Sequence, residues 1–118
     1  MPNARVFVYG TLKSGFGNHS LLSNATFLGT HNTDRAFKML NLGSFPALIE
    51  STKCGYSIYG EVYEVDQDTL RSLDMLEGYP GFYNRKVITT PYGEAWVYYL
   101  VDSDTYGDDV IDSGNWGT

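Results

Sequence analysis

The sequence has 118 residues, 42% hydrophobic and 19% charged, with a net charge of −6, and this length predicts a single domain over residues 1–118. The acidic balance argues against a nucleic-acid partner, which needs a basic face, and no apolar run approaches the roughly 20 residues that span a bilayer. The first residues lack the order of a signal peptide and a single cysteine cannot form an intrachain disulfide, so we expect a cytoplasmic protein.

The first third of the chain contains short β-prone runs separated by glycine. Residues 5–9 form an unbroken apolar run that predicts a strand buried on both faces. The glycine-rich stretch 11–17 favours an irregular loop, and Asn18 can cap a brief helix that ends near Leu22. A second strand is expected to begin at 27–29.

The middle of the chain favours three more strands. Residues 36–42 and 47–50 are β-prone and flank the turn residues 43–46. Residues 56–65 are the longest strand candidate. Gly60 lies inside it, which often indicates a bulge or a bend in a curled sheet.

The strongest helix signal covers 66–78. Asp66 can serve as the N-cap, and Gly78 followed by Pro80 can end the helix. A hairpin is expected next, with strands at 85–90 and 94–101. Beyond residue 102 the periodicity disappears, which predicts a loop whose end docks through Trp116. The elements together indicate an α+β fold, with a curled mixed sheet, one principal helix and a short second helix.

One carboxylate of the principal helix lies on its apolar face. With Leu70 at zero on a helical wheel, Leu73 falls near 300° and Leu76 near 240°, so the apolar face centres at about 300°. Glu77 lies within that face at about 340°, whereas Asp74 lies at its margin at about 40°. Helix geometry therefore selects Glu77 over Asp74 as the unusual acid.

Two physical effects should raise the pKa of Glu77. Burial disfavours the ionised carboxylate, and the C-terminal end of a helix disfavours negative charge. A carboxyl that exchanges protons near neutral pH suits general acid/base catalysis. The alternative from the wheel alone is that Glu77 extends from the helix end into solvent.

The turn that follows the first strand could bind an anion. Free backbone N–H groups at 9–12 can hold a carboxylate or an oxyanion, and Gly10 would let a ligand approach the backbone closely. The alternative is an ordinary turn between a strand and a loop. The stretch lacks the pattern of a phosphate-binding or dinucleotide-binding loop.

Other polar residues do not suggest a site. Ser14, His19 and Ser20 lack the context of a nucleophile elbow, and His19, His31 and Cys54 are too few for a zinc site. Five of the aspartates lie in 102–118, where the spacing is incomplete for a calcium loop, so we interpret that stretch as a solvated acidic loop. No metal or cofactor is expected.

Several short motifs resemble the γ-glutamylcyclotransferase-like family, which includes the γ-glutamylamine cyclotransferases and the AIG2-like proteins. They are Tyr-Gly-Thr-Leu-Lys at 9–13, Gly-Glu-Val-Tyr-Glu-Val at 60–65, Leu-Asp-Met-Leu-Glu-Gly at 73–78, Tyr-Asn-Arg at 83–85 and Ser-Gly-Asn-Trp at 113–116. Each motif is weak by itself. Together, in this order and across nearly the whole chain, they are a specific indication of the family.

The resemblance implies a small mixed β-barrel with flanking helices. It implies a γ-glutamyl-binding loop and a catalytic Glu, which in this sequence are Tyr9, Gly10, Thr11 and Leu12 with Glu77. Tyr83 and Arg85 match the family's Tyr-x-Arg, with Tyr83 expected to line the pocket and Arg85 to be structural. Asn115 stands where the family commonly has Asp.

The activity implied by the resemblance is cyclisation of a γ-glutamyl group to 5-oxoproline, with release of an amine or amino acid. We expect the leaving group to contact loops at 14–20, 43–47 and 79–83. The substrate would be a small molecule, and a monomer is favoured. The alternative is a non-catalytic module that binds a γ-glutamyl compound or another small metabolite.

Overall fold

The computed structural model describes residues 3–10, 12–13, 15, 19–35, 37–43, 45–50, 55–79, 83–100, 110–111 and 114–116. Within these ranges it contains seven strands, one 3-10 helix and one α-helix. They are β1 (Ala4–Val8), the 3-10 helix (His19–Leu22), β2 (Thr26–Asn32), β3 (Phe37–Asn41), β4 (Pro46–Glu50), β5 (Tyr59–Val65), α1 (Gln67–Glu77), β6 (Asn84–Thr90) and β7 (Gly93–Tyr99). No helix in the described ranges is long and apolar enough to cross a membrane.

Five strands form a mixed sheet in the order β2-β5-β1-β7-β6. Strand β1 lies at its centre, antiparallel to β5 and parallel to β7. The α+β class with one principal helix is confirmed. The barrel is not, because β2 and β6 lie at opposite ends of the strand order and, among the described residues, the sheet does not close.

Strands β3 and β4 form a separate antiparallel hairpin. Three isolated β-bridges join this hairpin to other segments of the described chain. They pair Phe37 with Tyr56, Leu40 with Val110, and Ile49 with Leu100. The Ile49 bridge is parallel and places the hairpin beside the end of β7. The hairpin therefore covers the large sheet without extending it.

The core is divided between the two faces of the large sheet. Because side chains alternate along a strand, Val6 and Val8 point to one face and Phe7 to the other. The first face packs against α1 through Leu70 and Leu73. The three strand residues and the two helix leucines are each at least 93% buried. The second face packs against the hairpin, including Met39 and Leu48. The prediction that the first strand is buried on both faces is confirmed.

Most strand predictions are confirmed with small shifts in their bounds. The strand expected at 56–65 begins at Tyr59, because Tyr56 pairs with Phe37 of the hairpin instead. The brief helix is a 3-10 turn, and its expected cap, Asn18, lies outside the described residues. The hairpin of β6 and β7 is present in full register.

Gly60 has a different role from the bulge that its position suggested. The register shift lies in β2, between Phe27 and Gly29, and not in β5. A Cβ at Gly60 would lie 2.5 Å from the Val8 carbonyl oxygen and 2.6 Å from Cζ of Phe7. Gly60 is therefore required for close packing of β5 against β1.

Candidate active site

Glu77 is the last residue of α1, on the side of the helix that faces the sheet. Leu70 and Leu73 are buried, but Leu76 is 42% exposed. The helical wheel places Leu70, Leu73 and Leu76 together on one apolar face. In the structure the buried face of α1 is rotated away from Leu76 and toward Glu77. The Glu77 side chain is partly buried as a result.

The environment of Glu77 favours its protonated form. Burial raises the pKa of this carboxyl from an ordinary value of 4.5 to about 7. A side chain extending freely into solvent would show no such effect. The expectation of a carboxyl that exchanges protons near neutral pH agrees with this environment.

The backbone around Glu77 is fixed on both sides of the helix end. Gly78 adopts the left-handed conformation with φ 64°, and its N–H donates to the carbonyls of Asp74 and Met75. The N–H of Tyr79 also donates to the Asp74 carbonyl, at 2.9 Å. The carbonyl of Glu77 accepts from the N–H of Tyr83, at 3.3 Å. The helix end is thus capped, and Glu77 has a defined position.

At the start of α1, Asp66 acts as the N-cap, as predicted. Its carboxylate accepts from the Thr69 N–H at 2.7 Å. Both ends of the helix therefore follow from local sequence signals.

Two buried tyrosines lie beside Glu77. The Tyr9 hydroxyl donates to the Tyr98 carbonyl at 2.7 Å and accepts from the Leu48 N–H at 3.3 Å. Burial raises the pKa of Tyr9 well above its usual range, and the neighbouring Tyr83 and Glu77 contribute to the same effect. Tyr9 is therefore held neutral, and its hydroxyl joins β1, β4 and β7.

Tyr83 is 4% exposed, and its hydroxyl donates to the Pro46 carbonyl at 2.8 Å. The structure thus brings together Tyr9, directly after β1, Tyr83, directly before β6, and Glu77, at the end of α1. Of the expected loop residues, Thr11 lies outside the described residues.

The turn after β1 is closed by a hydrogen bond from the Lys13 N–H to the Gly10 carbonyl, at 3.0 Å. Gly10 packs against the hairpin, because a Cβ there would lie 2.7 Å from Cγ of Pro46. Leu12 is 4% exposed within the core, and its carbonyl lies 2.9 Å from Nδ1 of His19. The turn is therefore held by the packing of Gly10 against Pro46 and by the buried Leu12 side chain.

Asp74, the other acid near the face of α1, is bound in an ion pair. One guanidinium nitrogen of Arg85 lies 2.9 Å from both carboxylate oxygens, and the Tyr98 hydroxyl donates to the same carboxylate at 2.7 Å. The guanidinium also lies over the rings of Tyr79 and Trp96, at 4.6 and 4.5 Å from their centroids. These contacts attach α1 to β6 and β7, and they agree with the structural role expected of Arg85.

The sequence did not indicate that Lys13 would be buried. This lysine is 4% exposed, and its Nζ donates to Oδ1 of Asn115 at 2.7 Å and to the Trp116 carbonyl at 2.8 Å. Burial lowers the pKa of Lys13, and the nearby charge of Glu61 opposes that effect. Trp116 packs against the second face of the core, so the expected docking of the C-terminal end is confirmed.

An open cavity of about 460 Å³ lies beside the 3-10 helix, lined among others by His19, Phe27, Glu61 and Tyr63. Its carboxylate, Glu61, accepts from the Tyr63 hydroxyl at 2.8 Å. Neither Glu77 nor Tyr9 lines this cavity. Among the described residues, no group of three His, Cys, Asp or Glu side chains could hold a metal ion.

The family described as "Gamma-glutamyl cyclotransferase, AIG2-like" matches residues 6–118 of the sequence. The chain belongs to this γ-glutamylcyclotransferase family. A relative from Vibrio cholerae is 42% identical over 111 residues, which are 94% of this chain and 93% of the relative. The γ-glutamylcyclotransferase family protein YtfP of Escherichia coli K12 is 38% identical over 112 residues, 95% of each chain.

Solved structures of the γ-glutamylcyclotransferase family have the same fold. The solution structure of YtfP from Escherichia coli superposes with a TM-score of 0.76 at 37% identity and covers 96% of both chains. An AIG2-like protein from Mus musculus superposes with a TM-score of 0.80 at 29% identity, covering 96% of this chain and 90% of the mouse protein. The resemblance noted in the sequence motifs is thus confirmed at the level of the family.

Proposed function

We propose that this member of the γ-glutamylcyclotransferase family cyclises a γ-glutamyl group to 5-oxoproline and releases an amine or amino acid, with Glu77 as the general acid/base. The observation that carries the proposal is the partly buried Glu77 carboxyl, which lies beside Tyr9, Tyr83 and the turn after β1. Burial raises its pKa to about 7. A carboxyl with that pKa is ionised and protonated in comparable amounts near neutral pH. It can therefore accept a proton in one step and donate it in the next.

The reaction requires no nucleophile from the protein. The substrate's own α-amine attacks its γ-carbonyl carbon, forms the C–N bond of a five-membered ring, and breaks the bond to the leaving nitrogen. Glu77 takes one proton from the α-ammonium group before the attack, and the ring nitrogen loses a second proton as it becomes the amide of the product. The departing nitrogen gains two protons and leaves as an ammonium ion, and Glu77 carries one proton at a time and ends as the carboxylate. Holding the glutamyl chain folded contributes proximity, which can be worth several kcal/mol.

The turn at 9–12 supplies candidate donors for the substrate's negative charge. Among the described residues, the N–H groups of Gly10 and Leu12 have no backbone acceptor, whereas that of Lys13 is used inside the turn. Backbone N–H groups with no internal partner can bind a carboxylate or a developing oxyanion. The substrate would be held between this turn and Glu77, with Tyr83 lining the pocket.

The deciding experiment measures 5-oxoproline released from a panel of γ-glutamyl amines, amino acids and peptides. Wild type should turn over at least one member, and Glu77→Gln should lose about 100-fold or more of kcat, the usual contribution of general acid/base catalysis. Glu94→Gln is the matched control, because Glu94 is exposed in β7 and should leave the rate unchanged. Equal turnover by wild type and Glu77→Gln would remove Glu77 from the mechanism.

The alternative of a non-catalytic binding module is an outcome of the same experiment. If no panel member is turned over, while γ-glutamyl compounds or 5-oxoproline raise the Tm of the wild type, the fold binds the metabolite without converting it.

A further inference from the structure

The side chain of Lys13 attaches the C-terminal segment 114–116 to the turn after β1. Lys13 donates from Nζ to the Asn115 side chain and to the Trp116 carbonyl, at 2.7 and 2.8 Å. The backbone N–H of the same residue closes the turn onto the Gly10 carbonyl, at 3.0 Å. Lys13 therefore belongs to both structures, although Asn115 lies 102 positions away in the sequence.

The segment itself is attached to the large sheet. The N–H of Tyr59, at the start of β5, donates to the Gly114 carbonyl at 2.8 Å. A Cβ at Gly114, where φ is 68°, would lie 2.2 Å from the Ser57 carbonyl oxygen, so the segment sits directly on the backbone before β5. The segment is thus a fixed anchor for the ammonium group.

The ammonium group of Lys13 lies in a confined position. The side chain is 4% exposed, and Nζ also lies 5.6 Å from the centroid of the Tyr59 ring. A buried ammonium without acceptors would be costly, and the two oxygens of the segment supply them. Loss of the segment would remove two acceptors from this confined ammonium group, which favours movement of Lys13 and of the turn that carries it.

We propose that the C-terminal segment 114–116 positions the substrate-binding turn through Lys13, which acts as a positioning residue for that turn. This inference rests on the proposed function, in which the turn holds the γ-glutamyl group. Lys13 is not assigned contact with substrate. Its effect on substrate affinity comes through the backbone of Gly10, Leu12 and Lys13.

The test uses Lys13→Met, which removes the ammonium group and both of its hydrogen bonds to the segment, and Asn115→Leu, which removes one of the two acceptors and leaves the Trp116 carbonyl. Amide hydrogen exchange by NMR gives one reporter at each end, the residue-13 amide for the turn and the Tyr59 amide for the segment. Because a hydrogen bond to a charged group is lost, each variant should speed exchange at both amides by about tenfold or more. Lys86→Met, which removes a surface lysine paired with Glu50, is the control and should change neither amide.

The double variant Lys13→Met/Asn115→Leu distinguishes a specific link from general destabilisation. In the double variant both members of the Lys13–Asn115 pair are apolar, and the Trp116 carbonyl loses its donor as it does in Lys13→Met alone, so the double variant should exchange no faster than Lys13→Met. Additive effects would mean that the two residues act independently, which would overturn the link. Unchanged exchange at residue 13 in Asn115→Leu would overturn it as well.

Kinetics on a substrate identified in the panel test the consequence for catalysis. Lys13→Met and Asn115→Leu should raise KM by about tenfold, with a smaller effect on kcat and no change in the pH midpoint set by Glu77. Unchanged KM in both variants would overturn the positioning role. If wild type has no activity, the proposed function fails, whereas the exchange results still support or overturn the link itself.

Discussion

Replacing Glu77 with Gln should stabilise the protein while, under the proposed function, it lowers kcat by about 100-fold or more. The pKa of this carboxyl is about 7 in the folded protein and 4.5 in its ordinary state. Between pH 4.5 and about 7, Glu77 therefore keeps its proton in the folded protein but has already lost it in the unfolded chain. The free energy of unfolding must fall as pH rises from about 4.5 to about 7, because ionisation of Glu77 stabilises the unfolded state in this range before it occurs in the folded state.

The size of this effect follows from the pKa difference. One pKa unit corresponds to about 1.4 kcal/mol, so full ionisation of Glu77 costs the folded state at most about 3.5 kcal/mol. The side chain is partly exposed, and solvent screening reduces that figure. We expect Glu77→Gln to be more stable than wild type by about 1 to 3 kcal/mol at pH 8, which corresponds to a rise in Tm of roughly 5 to 15 °C.

Urea unfolding of wild type and Glu77→Gln at pH 4.5, 6, 7 and 8 measures the difference directly. The gain in unfolding free energy should be near zero at pH 4.5 and should grow until about pH 7 to 8. Glu94→Gln, at an exposed position, should show no such growth. A gain that is the same at every pH, or absent at pH 8, would refute the reasoning that burial sets the pKa of Glu77.

Two further substitutions test the parts of the structure that hold the site. Asp74→Asn should lower the free energy of unfolding by about 2 to 4 kcal/mol, because it leaves the partly buried Arg85 guanidinium without its ion pair. The pH midpoint of kcat/KM should stay near 7, and a shifted midpoint would mean that Asp74 shares the proton transfer with Glu77. Gly10→Ala should cost about 1 to 3 kcal/mol by urea unfolding, because the added Cβ would lie 2.7 Å from Pro46. Adding Pro46→Ala should restore part of that loss, and no recovery in the double variant would show that the contact with Pro46 is not the cause.

The features that the sequence predicts best are those fixed by local geometry. The helix at 66–78, its Asp66 N-cap and its Gly78 end depend on neighbouring residues and on the 3.6-residue period, so they can be located without tertiary information. The same period places Glu77 on the buried side. The exposure of Leu76 could not be predicted, because it depends on how α1 is rotated against the sheet.

Features that depend on distant residues could not be located from the pattern. The parallel pairing of β1 with β7 and the separate β3–β4 hairpin are set by contacts far apart in sequence, which a local pattern does not encode. This is also why the expected barrel is an open sheet among the described strands. The burial of Lys13 belongs to the same class, because its acceptors lie more than 100 positions away and a lysine in a glycine-rich loop ordinarily indicates a solvent-exposed position.

The hydrogen bonds at the end of α1 hold the chain on both sides of a short connection. Tyr79 bonds back to the Asp74 carbonyl and Tyr83 bonds back to the Glu77 carbonyl, so the chain is tied to the helix immediately before and after residues 80–82. The intervening positions can differ in length or sequence without displacing the carboxylate. Under the proposed function, the leaving-group preference could therefore change at these positions while Glu77 keeps its place at the helix end.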